Sequence, residues 1–290
     1  MWPRHDWAYG IGRCRLGVVC LTAARLCGGN ETIGSFGFLR VVRFFRFLGG
    51  TINFLSYHFI LGRRDTRLGR TAGMRLIVRP TVFHPRYFIS SRRFAEFIET
   101  LSLDGKRVLD VGTGTGILAI AAARAGAETV IATDINPNAA LSVPDNAQAN
   151  GVGDRVTAAC MNLLSGFLSA PLFDVIIANP PKHAEEPRDL ADRGWHGGPW
   201  HRDIAPLFDE ASERLKPGGE LYVMFSSHSD LGLIENLIER AGFNFRVVKK
   251  YSILIDSFVL YECTRRCFGF AAGSRLVVGN TCYKEGACER

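Results

Sequence analysis

The chain has 290 residues, enough for one large domain with an extension or for two small domains. Its 47% hydrophobic and 22% charged residues are the balance of an ordinary globular protein, and no stretch reaches the ~18 apolar residues of a membrane span. The net charge is +7, but residues 1–75 hold 12 arginines, no lysine and 3 acids, so a nucleic-acid reading of the basic pI applies only to that segment.

Residues 1–75 read as an Arg-rich, largely helical extension. Within it, residues 16–24 follow Arg4, Arg13 and Arg15 in the outline of a secretory leader, but Arg25 ends the apolar run and no small-x-small site follows. Residues 38–48 carry Arg40, Arg43 and Arg46 at every third position. On a helix each such step rotates by only about −60°, so the three guanidiniums share one face. Such a helix fits either packing on the following domain or, with the apolar residues 51–61, peripheral contact with a membrane surface or acidic partner. Met74 is a second candidate start.

From 76 to 263, short β-branched runs alternate with helical patterns, which predicts an α/β domain with a doubly wound, mostly parallel seven-stranded sheet. Arg92–Leu103 has helical spacing at Phe94, Phe97, Ile98 and Leu101. Strand Arg107–Val111, a Gly-rich turn and helix Ile117–Ala125 follow. Strand Thr129–Thr133 ends at Asp134, and helix Pro137–Asn150 has a proline in its first turn; Pro144 inside it predicts a kink or an early stop. Strands Val156–Cys160 and Asp174–Ala178 come next, the second apolar enough for the centre of a parallel sheet. Helix Ile204–Leu215 ends at Lys216-Pro217-Gly218-Gly219. Strand Glu220–Phe225, helix Leu231–Ala241 and strands Asn244–Val248 and Ser257–Tyr261 complete the domain. Residues 264–290 lose this rhythm and read as a poorly ordered tail.

Cysteines stand at 14, 20, 27, 160, 263, 267, 282 and 288, with no Cys-x-x-Cys and no zinc-finger spacing. That usage fits a reducing cytosol, and no metal is expected, although Cys263 with Cys267 or Cys282 with Cys288 are spaced to bind one or to cross-link.

The chemistry concentrates at two loops. Gly112, Gly114 and Gly116 join a strand to a helix, where small residues let the backbone turn sharply and approach a ligand. Asp134, at the tip of the next strand, is placed to accept hydrogen bonds from both ribose hydroxyls of a nucleoside cofactor. A dinucleotide loop of the form Gly-x-Gly-x-x-Gly has no match here, because Thr115 and Ile117 are not glycine. The run Asp110-Val111-Gly112-Thr113-Gly114-Thr115-Gly116 instead resembles motif I of class I S-adenosylmethionine-dependent methyltransferases. That resemblance implies the Rossmann-like methyltransferase fold and S-adenosylmethionine as cofactor. It further implies that Asp110, Gly112, Thr113, Gly114 and Gly116 cradle the methionine part, that Asp134 takes the ribose, and that Asn162 meets adenine.

The second loop, Asn179-Pro180-Pro181-Lys182, follows a strand on the same rim. The Asn179 side-chain oxygen and the Pro180 carbonyl can each accept one N–H bond from an NH2 group, aiming its nitrogen at a methyl group. The prolines stiffen the loop so that both acceptors are pre-aimed. This resembles the Asn-Pro-Pro-aromatic motif of HemK-like glutamine methyltransferases and N6-adenine methyltransferases. Val82-Phe83-His84-Pro85 and Trp195-His196-Gly197-Gly198 resemble further segments of that group. The resemblance makes Asn179 and Pro180 catalytic, with Asn179 at the junction of cofactor and acceptor, and gives Phe83, Pro181, Lys182 and Trp195 to the acceptor. Lys182 stands where the family has a stacking ring; Trp195 or Trp200 is available to supply one.

The function expected is methyl transfer to a nitrogen of a protein glutamine or a nucleic-acid amine. A small or lipid-like acceptor at a membrane surface is the alternative, and a non-catalytic cofactor module or NAD-type enzyme is the third. His183, His196 and His201 read as solvated or substrate-loop residues, and Glu185, Glu186, Asp189 and Asp192 as a solvated acidic face.

Overall fold

In the computed structural model of the protein, the described residues are 65–83, 89–253 and 256–266. The expected cationic helix at 38–48, the apolar run 51–61, His84-Pro85, Cys14, Cys20, Cys27, Cys267, Cys282, Cys288 and the tail beyond Arg266 lie outside them.

Nine strands and five α-helices are described. A hairpin of β1 (Arg67–Thr71) and β2 (Met74–Val78) comes first, antiparallel and straddling the expected boundary at 75–76. Then follow α1 (Ile89–Ile98), β3 (Arg107–Val111), α2 (Ile117–Arg124), β4 (Thr129–Asp134), α3 (Pro137–Ala149), β5 (Val156–Cys160) and β6 (Phe173–Ala178). The chain continues through α4 (Pro206–Arg214), β7 (Leu215–Ser226), α5 (Leu231–Arg240), β8 (Phe243–Ile253) and β9 (Asp256–Arg265). Strands β3 to β9 form one seven-stranded sheet in the order β5-β4-β3-β6-β7-β9-β8. The first five in that order run parallel, and β9 and β8 are antiparallel to their neighbours.

Side-chain alternation sends successive residues of a strand to opposite faces. Val108, Val175 and Ile177 join one core with Phe94 and Ile98 of α1, the buried residues of α2, and Val143 and Ala147 of α3. Leu109, Val111, Ile176 and Ala178 join another with Leu207, Phe208 and Ala211 of α4 and Ile234 and Ile238 of α5. Helices thus cover both faces. From β3 the chain steps to β4 on one side, and β6 pairs with β3 on the other, so the crevice for ligands opens beyond the carboxyl ends of β3 and β6.

Several boundaries differ from the sequence reading. Helix α1 begins at Ile89 and ends at Ile98, because Leu101 and Leu103 pack against the core from a turn rather than from a helix. Helix α4 is shorter than expected, Pro206–Arg214. Helix α3 runs unbroken through Pro144. An interior proline costs about 3 kcal/mol, and anchoring at both ends of the helix outweighs it. At its start the Asn136 side chain caps Asn138 N (3.0 Å). Near its end, Asn146 and Asn150 bond β2 as a neighbouring strand would. Asn150 Oδ1 accepts from Arg75 N (3.0 Å) and its Nδ2 donates to Arg75 O (2.7 Å). Asn146 does the same for Ile77 N (2.6 Å) and Ile77 O (2.9 Å). The fully buried Asn146 amide also donates to Thr115 O (2.8 Å) in the Gly-rich loop.

Replacing Asn146 by alanine leaves three buried backbone groups without partners, each worth ~1–3 kcal/mol. Asn146→Ala is expected to lower unfolding free energy by about 3 kcal/mol, read by denaturant titration. The Asn138→Ala control, which removes half-buried bonds to Pro80 O (3.1 Å) and Thr81 Oγ1 (3.3 Å), should lose less.

The Lys216-Pro217-Gly218-Gly219 turn lies inside β7 as a bulge: Leu215 pairs with Phe173 and Glu220 with Val175. A Cβ on Gly219 would meet Asp174 O at 2.9 Å, so only glycine fits there. The last two strands are longer than expected, and β9 runs to Arg265, past the expected domain end at 263. Cys160 is an exposed free thiol; Cys263 is buried and free, its thiol pushed up to about 12 by burial. Among the described residues no helix is long and apolar enough to cross a membrane.

Candidate active site

One cleft lies beyond the ends of β3, β4 and β6. One side of it is bordered by Gly112, Thr113, Gly114, Asp134 and Asn162. Asn179, Pro180, Pro181, Lys182, Phe83 and Trp195 border its other side. Residues that the sequence placed in one site thus come together from across the chain. Asp110 and Gly116 do not line the cleft; they build the loop that does. Asp110 lies beneath it, with Oδ2 accepting from Thr113 Oγ1 (2.6 Å) and Ala119 N (3.1 Å). Gly116 precedes α2 at φ 82°, and a Cβ there would press on Val143 at 3.2 Å. At Gly112 and Gly114, φ is 70° and 58°, and an added Cβ would meet nothing within 4 Å. The loop is therefore a cradle with open space above it.

Asp134 closes this cradle. Its Oδ2 accepts from Gly114 N (2.9 Å) and its Oδ1 from Asn136 N (2.8 Å). Each carboxylate oxygen keeps a second lone pair for a hydroxyl donor. Burial pushes the Asp134 carboxyl up, against the two backbone bonds. Asp110 is pushed up to about 7, first by burial and further by the Asp134 charge, although Thr113 and Ala119 oppose the shift.

On the acceptor side, Asn179 Nδ2 donates to Ser91 Oγ (2.9 Å) and weakly to Ser90 Oγ (3.5 Å), both in the first turn of α1. With the NH2 end of the amide engaged there, Oδ1 is left to accept from a ligand. Lys182 takes no ring's place over the cleft. Its Nζ lies 3.3 Å from Asp256 Oδ2 and 4.3 Å from the centre of the Phe258 ring. Burial lowers the Lys182 ammonium's pKa, and Asp256 opposes that shift. Aromatic surface comes instead from Trp195, stacked on His183 (5.7 Å, 5° between planes) and tilted against Phe83 (5.7 Å). Trp200, 80% exposed, stands outside the cleft lining at φ 58°.

The expectation of a solvated acidic face holds for Glu185, Glu186 and Asp189, which are exposed, and fails for Asp192; His201 is likewise buried. His201 is 1% exposed and Asp192 1% exposed, while Glu186 is paired with Arg202 (3.0 Å). Burial pushes His183 down to about 4, so it is neutral at pH 7. Asp192 is buried because Arg188 neutralises it locally. Sequence reasoning also missed Ser91 and Asn136 as cleft residues, while His196 lines the cleft as a substrate-loop residue would. Asn136, two positions after the strand-end acid, carried a signal as a helix cap; Ser91 carried none. Among the described residues no group of three His, Cys, Asp or Glu side chains is placed to hold a metal.

A family model described as ribosomal protein L11 methyltransferase matches residues 94–180. The chain is 49% identical over 84 residues to the ribosomal protein L11 methyltransferase of Vibrio vulnificus, covering 29% of this chain and 28% of that one. It is 32% identical over 185 residues to the enzyme of that name from Deinococcus radiodurans, covering 62% of this chain and 60% of that one. The chain thus spans less than two thirds of the length of these curated relatives. Among solved structures, a 16S rRNA N2 G1207 methyltransferase of T. thermophilus, in complex with AdoMet and guanosine, superposes with a TM-score of 0.53. That match has 22% identity and covers 70% of this chain and 50% of the other. The sheet has the Rossmann-like methyltransferase fold. The family match at 94–180 spans the Gly-rich cradle, Asp134 and Asn179-Pro180.

S-adenosylmethionine bound in this cradle would bring a sulfonium and an ammonium, which would favour ionised carboxylates at Asp134 and, beneath the loop, Asp110. Asp110 is protonated in the free protein below about pH 7, so binding there releases protons. Cofactor affinity is expected to rise with pH up to about 7 and to level off above it. Calorimetry in buffers of differing ionisation heat reads the released protons, and a flat profile across that range would contradict the coupling.

Proposed function

We propose that the protein is an S-adenosylmethionine-dependent methyltransferase whose acceptor is a nitrogen of a protein, with ribosomal protein L11 as the first candidate. The observation that carries this reading is the Asn179 amide of the cleft lining, whose NH2 end is engaged by Ser91, leaving Oδ1 to accept from a ligand. An oxygen acceptor there, with the Pro180 carbonyl, suits a nitrogen bearing two hydrogens. The loop holds that nitrogen in line with the methyl group, and the developing positive charge on it is met by two oxygen dipoles. The matched family and the relatives named for ribosomal protein L11 support a protein acceptor.

The test is incubation of the purified protein with methyl-labelled cofactor and, separately, ribosomal protein L11, release factors, tRNA and ribosomal RNA. Label is expected in L11. Label in a release factor or an RNA would move the acceptor to a glutamine or a base amine. Label only in a lipid or metabolite extract would overturn the protein-nitrogen reading.

A further inference from the structure

Methyl transfer to nitrogen releases a proton, and nothing in the cradle or in Asn179-Pro180 takes it up. Beside the acceptor loop stands a carboxylate–imidazole pair. Lys182 is followed by His183, which pairs with His196 in a short parallel bridge: His183 N donates to Trp195 O (3.1 Å) and Gly197 N to His183 O (2.8 Å). This bridge fixes His196 alongside the loop carrying Asn179, and His196 borders the same cleft. One helical turn earlier, Asp192 is buried and held by Arg188 through its backbone N (3.0 Å), Nε (2.9 Å) and Nη2 (3.0 Å). Asp192 Oδ1 lies 3.2 Å from His196 Nδ1, slightly off line for a hydrogen bond.

We propose that His196, oriented by Asp192, is the catalytic base that removes the proton from the methyl-accepting nitrogen. The proposal rests on the methyltransferase reading above. The Asp192 carboxylate beside Nδ1 favours the imidazole proton on that nitrogen, which leaves the Nε2 lone pair for the acceptor. The nitrogen–methyl bond forms as the methyl–sulfur bond breaks, sulfur keeping that electron pair. The N–H bond breaks with its electrons left on nitrogen, and the proton passes to His196 Nε2 and then to solvent. The charged and titratable groups near His196 fit this role. Burial works to raise the Asp192 carboxyl, but the Arg188 hydrogen bonds outweigh it and hold it below the usual carboxylate range. Glu185 Oε2 lies 3.8 Å from Nε2, and His183, at a ring distance of 5.5 Å, is neutral at pH 7.

The test uses the full chain, the cofactor and ribosomal protein L11. His196→Ala should bind cofactor as the wild type does and lose about 10²-fold or more in turnover at pH 7. Added imidazole should restore part of that loss, and the deficit should shrink as pH rises toward 9. Wild-type turnover in His196→Ala, or a loss that neither imidazole nor pH relieves, overturns the base assignment and leaves the methyltransferase reading standing. No transfer by the wild type to any acceptor fraction would overturn the reading and the base together. Nitrogen NMR of the cofactor-loaded protein gives a check independent of acceptor. It should show the neutral His196 proton on Nδ1, a preference that Asp192→Asn weakens; a proton on Nε2 overturns the proposal.

Discussion

Asn179→Ala is expected to reduce methyl transfer by ~10²–10³ while leaving cofactor affinity within about twofold, because the interaction it removes forms in full only as charge develops on the acceptor. The structure explains why the effect should be large for one amide. Its NH2 end is tied to Ser91 Oγ at 2.9 Å, so the acceptor oxygen needs no reorganisation when a substrate arrives. Pro180 and Pro181 stiffen the backbone that carries the second acceptor. Ser91→Ala leaves the oxygen in place but frees the amide to rotate, and a loss nearer tenfold is expected. Steady-state kinetics beside calorimetry separates these effects: a fall in cofactor affinity matching the fall in turnover would show that Asn179 holds the cofactor rather than the acceptor.

Asp134→Ala should act at the other end of the cleft and in the opposite sense. Cofactor affinity is expected to fall by about 100-fold or more, since two charge-assisted hydrogen bonds of ~1.5–3 kcal/mol each are lost. Part of that loss is local, because Gly114 N and Asn136 N also lose their acceptor and the cradle loosens. Asp134→Asn separates the two causes. It keeps the size of the side chain but turns one oxygen into a donor, so it should retain the fold and still bind cofactor far more weakly than the wild type. Calorimetry and the cofactor-induced rise in Tm both report the result. Affinity surviving in both variants would remove Asp134 from the ribose.

How far the sequence went follows from what kind of information each feature needs. Short-range patterns were legible. The strand around Leu109, the glycines after it and Asp134 sit within one βαβ unit, and the seven-stranded, mostly parallel sheet follows from alternating elements. Asn179-Pro180-Pro181 was legible as a cleft loop because it directly follows strand β6. Features built from distant pairs were not. Ser91 reads as an ordinary helix serine until it meets Asn179, 88 positions later. Asn146 and Asn150 read as polar helix residues, and only β2 beside them reveals a clamp. Asp192 read as a solvated acid because charge alone says nothing about burial; Arg188 and the turn toward His196 decide it. Pro144 misled for a related reason: its local cost is real, but the anchoring at both ends of α3 is not visible locally.

The Asn146 amide belongs at once to two opening reactions. One of its N–H groups holds Thr115 in the cofactor loop and the other holds Ile77 in the β1–β2 hairpin. A ligand that orders the loop therefore raises the free energy needed to peel the hairpin away, and a hairpin that lifts off leaves the loop less well formed. Strain in the β1–β2 hairpin is thereby felt at the Gly-rich loop, with Asn146 as the side chain that touches both.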